Sequence, residues 1–129
     1  MTAWSSDELA KIGRSEELQL ASVRPDGSLR KPVTVWVARH GDQLYLRSAV
    51  KGRNAAWFRG TQESQRDRIS AAGIDKDVNL ANADRNIDDD VDAAYRAKYR
   101  RYAGRILDSA LTNEARSTTI ELIPSATRP

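Results

Sequence analysis

Seven consecutive residues, Ser48-Ala49-Val50-Lys51-Gly52-Arg53-Asn54, bring together a hydroxyl, two cations, a glycine and a side-chain amide. A loop of that composition can capture a phosphate or a carboxylate. Lysine and arginine supply charge, the glycine lets main-chain N–H groups converge, and a following helical turn would present its own N–H groups. The same residues also make an ordinary solvated connection between a strand and a helix, and from the residues alone both readings stand. The spacing matches neither a Walker motif nor a dinucleotide-binding glycine fingerprint.

Other chemistry is easier to exclude. The 129 residues include no cysteine, which removes disulfides, thiolate metal sites and thiol nucleophiles. The single histidine, His40, sits beside a turn signal and is expected to face solvent, so no nucleophile–imidazole pair is available. If a reaction occurs, a cofactor supplies its hard chemistry and the protein supplies orientation and charge. Asp88, Asp89, Asp90 and Asp92 offer hard oxygen ligands, but their spacing is not a calcium loop; helix capping explains them, and no metal site is read. Arg96, Lys98, Arg100, Arg101 and Arg105 make a basic helix end that complements a helix dipole. No nucleic-acid recognition motif accompanies it. The net charge of +3, from 21 basic and 18 acidic residues, is a mild excess spread along the chain. It favours anionic ligands in general and does not mark a nucleic-acid binder. The start, MTAWSSDELAKIG, lacks the pattern of a signal peptide, and no window approaches the roughly 20 apolar residues of a membrane span. A cytoplasmic protein of one domain, 1–129, is expected.

The elements that must position the loop follow from periodicity. Trp4 to Gly13 reads as a short helix capped by Ser5 or Ser6, with Leu9 and Ile12 on its apolar stripe. Leu18 to Val23 alternates as a first strand, and Arg24-Pro25-Asp26-Gly27-Ser28 is a turn. Val33, Val35 and Val37 alternate with Thr34, Trp36 and Ala38, Gly41-Asp42 turns the chain, and Gln43 to Ser48 returns. Trp36, opposite the valines, reads as an exposed indole suited to an interface or to ring stacking, with dimer packing the first choice. Arg53 to Gly60 reads as one or two helical turns with Trp57 or Phe58 inward, and Thr61 to Arg68 as an exposed connection or the start of a strand. Arg68 to Gly73 and Ile74 to Leu80 form a second hairpin. Asp88 to Tyr102 is a helix with Val91, Ala94, Tyr95, Tyr99 and Tyr102 on one face, read as core. Ile106 to Leu111 is a short link, Ser117 to Ile123 a closing strand, and 124–129 a tail that begins where Pro124 breaks the pattern. About six antiparallel strands with a long helix before the last define an α+β chain and a small closed or split barrel.

The order of these elements and the stretch RKPVTVWVARHGDQLYLRSAVKGRNAAWFRG resemble the split-barrel flavin proteins. That group includes the pyridoxamine-phosphate-oxidase-like and deazaflavin-dependent nitroreductase-like enzymes. AAGIDKDV, DAAYRAKYRRYA and TTIELIP extend the likeness over nearly the whole chain, which looks most like an uncharacterised bacterial family allied to that superfamily. The resemblance implies a homodimeric split barrel holding deazaflavin or FMN and acting as an oxidoreductase on a small molecule. It places Arg30, Lys31, Ser48, Lys51, Arg53 and Asn54 near the cofactor, with Trp57 packing behind. After that tryptophan, deazaflavin relatives commonly carry an asparagine and an unbroken strand, where this chain has Gly60 and TQESQ. A cofactor-free barrel that binds a small molecule or a partner protein is the alternative this difference favours.

Overall fold

A computed structural model describes residues 3–125. Helix α1 (Ser6–Arg14) opens on a reciprocal cap: Ser5 Oγ accepts from the Glu8 N–H at 3.1 Å, and the Glu8 carboxylate accepts from the Ser5 N–H at 2.9 Å. Strands β1 (Leu18–Ser22), β2 (Val33–Val35), β3 (Val37–His40) and β4 (Gln43–Leu46) follow. Then come α2 (Ala56–Ser64), β5 (Arg66–Ala71), β6 (Ile74–Asn82), α3 (Asp88–Lys98), the single-turn helices α4 (Arg105–Asp108) and α5 (Asn113–Arg116), and β7 (Ile120–Pro124). No described helix is long and apolar enough to cross a membrane.

The seven strands pair antiparallel in the order β2-β1-β5-β6-β7-β4-β3. Its two edges, β2 and β3, are separated in the chain by Trp36 alone. One extended run therefore serves both edges. Val33–Val35 pair with β1 while Val37–His40 pair with β4, and the sheet must curl to satisfy both. The expected α+β barrel forms, with a seventh strand because the run breaks at Trp36. Ile12, Leu18, Leu20, Val37, Leu44, Leu46, Ile69, Ile120 and Leu122 fill it, none more than 2% exposed.

At the break, main-chain groups are satisfied by helix α3 rather than by a ladder. The Tyr99 hydroxyl accepts from the Val37 N–H at 3.2 Å and donates to the Glu16 carbonyl at 2.6 Å. Lys98 Nζ donates to the Val37 carbonyl at 2.6 Å, and the Tyr95 hydroxyl reaches the Trp36 carbonyl at 3.4 Å. Burial lowers the Lys98 pKa to about 8. The tyrosine stripe is core, as its spacing suggests. Trp36 is not the exposed indole expected: it lies half-buried, its ring 3.9 Å from that of Tyr99 and nearly parallel to it.

Helix α3 is held from below by one buried cation. Arg47, on the face opposite Leu44 and Leu46, is enclosed. It donates to Asp92 Oδ1, to the Ala110 carbonyl at 3.1 Å, to the Asp88 carbonyl at 3.0 Å and to Thr119 Oγ1 at 2.9 Å. Asp88 and Asp92 are therefore not caps, as their position suggested. The residue before the helix is Ile87, no side chain caps it, and both carboxylates turn inward at a spacing of four. Helix α3 also ends at Lys98, earlier than periodicity implied, and a 3-10 turn carries Arg100–Tyr102.

Three further boundaries differ. Helix α2 runs through Thr61-Gln62-Glu63-Ser64, so the polar segment after Gly60 is the helix's last turn rather than a connection. Helix α5 takes up Asn113–Arg116, and β7 starts at Ile120. Pro124 is the last residue of β7, opposite Val78, rather than its terminator; the end of the expected tail, 126–129, lies outside the described residues.

Removing one partner from a buried ion pair leaves the other uncompensated. Asp92→Ala is expected to cost about 3 kcal/mol and lower the Tm by roughly 10 °C, whereas exposed Asp90→Ala stays within about 0.5 kcal/mol. Thermal unfolding followed by circular dichroism measures both, and equal effects would refute the asymmetry.

Candidate functional site

The loop after β4 is fixed at both ends. Ser48 is fully buried; its N–H donates to Thr118 Oγ1 at 2.8 Å and its hydroxyl to the Gly52 carbonyl at 2.6 Å. Gly52 takes φ 53°, and a Cβ there would lie 2.1 Å from Glu114 Cγ, so only glycine lets the loop close on α5. Between these points the Lys51 N–H donates to the Ala49 carbonyl at 2.6 Å, a tight turn about Val50 at φ 59°. A β-branched residue in that region is strained. It is also 85% exposed.

Val50 stands at the mouth of a cleft of about 330 Å³. Trp36 at the barrel split, Trp57 on α2, Tyr95 on α3 and Ile106 on α4 wall it, and Arg47 lies at its base. Of its polar side chains Glu17, exposed at the rim, has no side-chain partner among the described residues, and the others are committed. Arg47 is bound as described, Thr34 Oγ1 accepts from Gln19 Nε2 at 2.7 Å, and the Ser109 hydroxyl donates to the Ile106 carbonyl at 2.6 Å. Burial pushes the Tyr95 phenol up, so it stays protonated. Flat, apolar walls with few disposable polar groups suit a planar ring better than acid–base chemistry by the protein.

The seven residues implied by resemblance separate into groups. Trp57 lines the cleft. Lys51 and Asn54 are exposed on the loop beside Val50, and Arg53 reaches back, its Nη2 donating to the Ser117 carbonyl at 3.1 Å while its guanidinium lies over Phe58. Ser48 is enclosed beneath them. Arg30 and Lys31 are elsewhere: they line a second cavity of about 210 Å³, whose other walls include Asp67, Thr61 and the far side of Trp57.

Asp67 and Arg47 escaped the sequence reading. Asp67 lies in the polar segment that reads as an exposed connection or the start of a strand; β5 does start there, and the two-residue spacing of Asp67 from Ile69 and Ala71 marks an inward position. Its carboxyl is pushed up to about 6, chiefly by burial, with the Thr61 and Ser64 hydroxyls opposing.

A barrel split along one shared strand, its break covered by a helix and bordered by a cleft, defines the split-barrel class. Within it the chain belongs to the bacterial family described as "Uncharacterized protein conserved in bacteria (DUF2255)", which matches residues 8–122. The resemblance read from the sequence thus holds. Among solved structures, HutZ, the heme storage protein from Vibrio cholerae, superposes with a TM-score of 0.62 at 13% identity, covering 90% of this chain and 86% of that one. The conserved hypothetical protein Rv2991 from Mycobacterium tuberculosis gives 0.61 at 13%, over 98% and 83%. An F420 reductase gives 0.52 at 19%, over 92% and 93%. At such identities the likeness is one of fold. Among curated protein sequences none matches the chain.

For Asp67, a folded-state pKa above the ordinary 3.8 means the folded protein holds this proton more tightly than the unfolded chain. Its contribution is therefore largest below about pH 4 and is lost as the pH rises through about 6. Asp67→Asn is expected to be more stable than wild type at neutral pH by on the order of 2 kcal/mol, the gap closing near pH 4. Urea unfolding across that range tests it, and a gap independent of pH would exclude Asp67 as the source.

Proposed function

We propose that the cleft binds a flavin-type cofactor, deazaflavin or FMN, and that the protein is an oxidoreductase acting on a small molecule. The observation that carries this reading is the indole-walled cleft beside a strained, cation-bearing loop. The fold shared with an F420 reductase supports it. The helical continuation of α2 through TQES, where deazaflavin relatives commonly carry a strand, stays on the side of the cofactor-free alternative.

Trp57, Trp36 and Val50 would hold the ring, and Val50 and Ile106 would exclude water at the mouth. Lys51, Arg53 and Asn54 would hold the anionic tail, with Ser48 fixing their loop from beneath. Bound there, such a cofactor would supply hydride transfer. Val50 and Ile106 are 85% and 58% exposed, and a second copy covering them would make the protein a homodimer with the cleft at its interface.

Equilibrium dialysis of the purified protein against FMN and against deazaflavin, read by fluorescence, tests this directly. Micromolar retention of one of them is expected, weakened at least about 100-fold in Lys51→Ala/Arg53→Ala by loss of two charge-assisted contacts. Retention by the double variant would remove the loop from the site. Retention of neither compound by the wild type would leave a ligand-binding barrel without redox chemistry.

A further inference from the structure

The cavity behind Trp57 has a chemistry unlike that of the cleft. It lies among β1, β2, α2 and β5, and two residues that line it each carry a buried polar atom with no hydrogen bond: Asp67 Oδ1 and Arg30 Nε. Asp67 is 1% exposed, its Oδ2 accepts from the Thr61 hydroxyl at 2.7 Å, and it joins none of the ion pairs among the described residues. Arg30 is held beneath α2 by its main chain, its N–H donating to the Ser22 carbonyl at 2.9 Å. Gly60 makes room for its side chain, since a Cβ there would come within 3.4 Å of Nε. Each such atom is costly to leave unpaired, and a ligand that drew both side chains toward it would relieve both.

We propose that this cavity is a binding site for a small ammonium–carboxylate compound of the α-amino acid class. The ammonium donates to Asp67 Oδ1, the carboxylate accepts from Arg30 Nε, and the aliphatic part packs on Leu20, Val33 and Trp57. Charge selects this class. Arg24 and Lys31 also line the cavity, which with Arg30 carries three cations and calls for an anion. The donor end faces a buried carboxylate that has no cation of its own and calls for one. A neutral amide would complete both hydrogen bonds and leave both charges uncompensated. The volume, about 210 Å³, is below that of pockets for drug-sized ligands and admits an aliphatic amino acid. Neither Arg30 nor Asp67 takes part in cofactor binding as proposed.

Four probes of similar size separate the possibilities in a ¹⁵N NMR titration: L-valine, isobutylamine, isobutyrate and 2-pyrrolidinone. L-Valine is expected to shift the Asp67 and Thr61 amides and the Trp57 indole N–H saturably, while the amine, the acid and the lactam do not saturate. Asp67→Asn and Arg30→Gln, each checked for fold by circular dichroism, are expected to weaken L-valine binding at least about tenfold. No response to L-valine would overturn the site. Equal binding of the lactam or of either half-ligand, or unchanged binding in both variants, would overturn its assignment to a zwitterion. Retention of FMN and deazaflavin, measured on the same preparations, is expected to be unaltered by either substitution, so failure of the two readings can be told apart.

Discussion

A guanidinium enclosed in a protein must find partners for its N–H groups inside, and Arg47 obliges four parts of the chain to meet. Asp88 and Asp92 come from α3, the Ala110 carbonyl from just past α4, and Thr119 from just before β7. Arg116 and Arg85 extend the network outward, at 3.4 Å from Asp92 Oδ2 and 2.7 Å from Asp88 Oδ2. A hydrophobic substitute of similar volume would meet the demands of packing without this cost, so the network is better read as a specifier of arrangement than as a source of stability. It sets α3 against the barrel with Tyr95 beneath the guanidinium carbon, 5.6 Å from its ring centroid.

That placement has a direct effect on the barrel. Because β2 and β3 are one run serving two edges, the ladder must fail somewhere between them, and it fails at Trp36. The main-chain groups exposed there need partners, and Tyr95, Lys98 and Tyr99 supply them only if α3 lies where Arg47 holds it. The cleft follows from the same break. Trp36 stacks on Tyr99 and forms part of the cleft wall, so the flaw in the ladder becomes an aromatic side of the cleft.

Much of this was legible locally. The hairpin at Ala72-Gly73, the meander around Gly41-Asp42 and the tyrosine stripe each follow from period and turn chemistry over a few residues. What escaped depends on tertiary partners. In α3, Asp88 and Asp92 share the inward face of Val91 and Tyr95, a signal present in the spacing but outweighed by the habit of acidic residues at helix starts. Asp67 was obscured because polar neighbours on both sides hid its strand period, and Pro124 because a proline at a strand end needs no N–H partner. The candidate loop was found, but not its division of labour. Nothing in SAVKGRN distinguishes the serine that is enclosed from the lysine that is exposed.

The loop's rigidity explains how Val50 can keep an unfavourable conformation. Strain of this kind persists only where the surroundings over-determine it. Here Ser48 is tied to Thr118 and to Gly52, Gly52 is pressed against Glu114, and Arg53 is bonded to Ser117. Three of these four contacts reach the segment of α5 and the residues just beyond it, Glu114 to Thr118, so α5 acts as a template on which the loop is cast. A relaxed loop would let Val50 fold back and the Lys51 ammonium wander. A cast one holds an apolar tip at the cleft with Lys51 next to it in the chain, and the entropy of ordering the loop is already spent in folding.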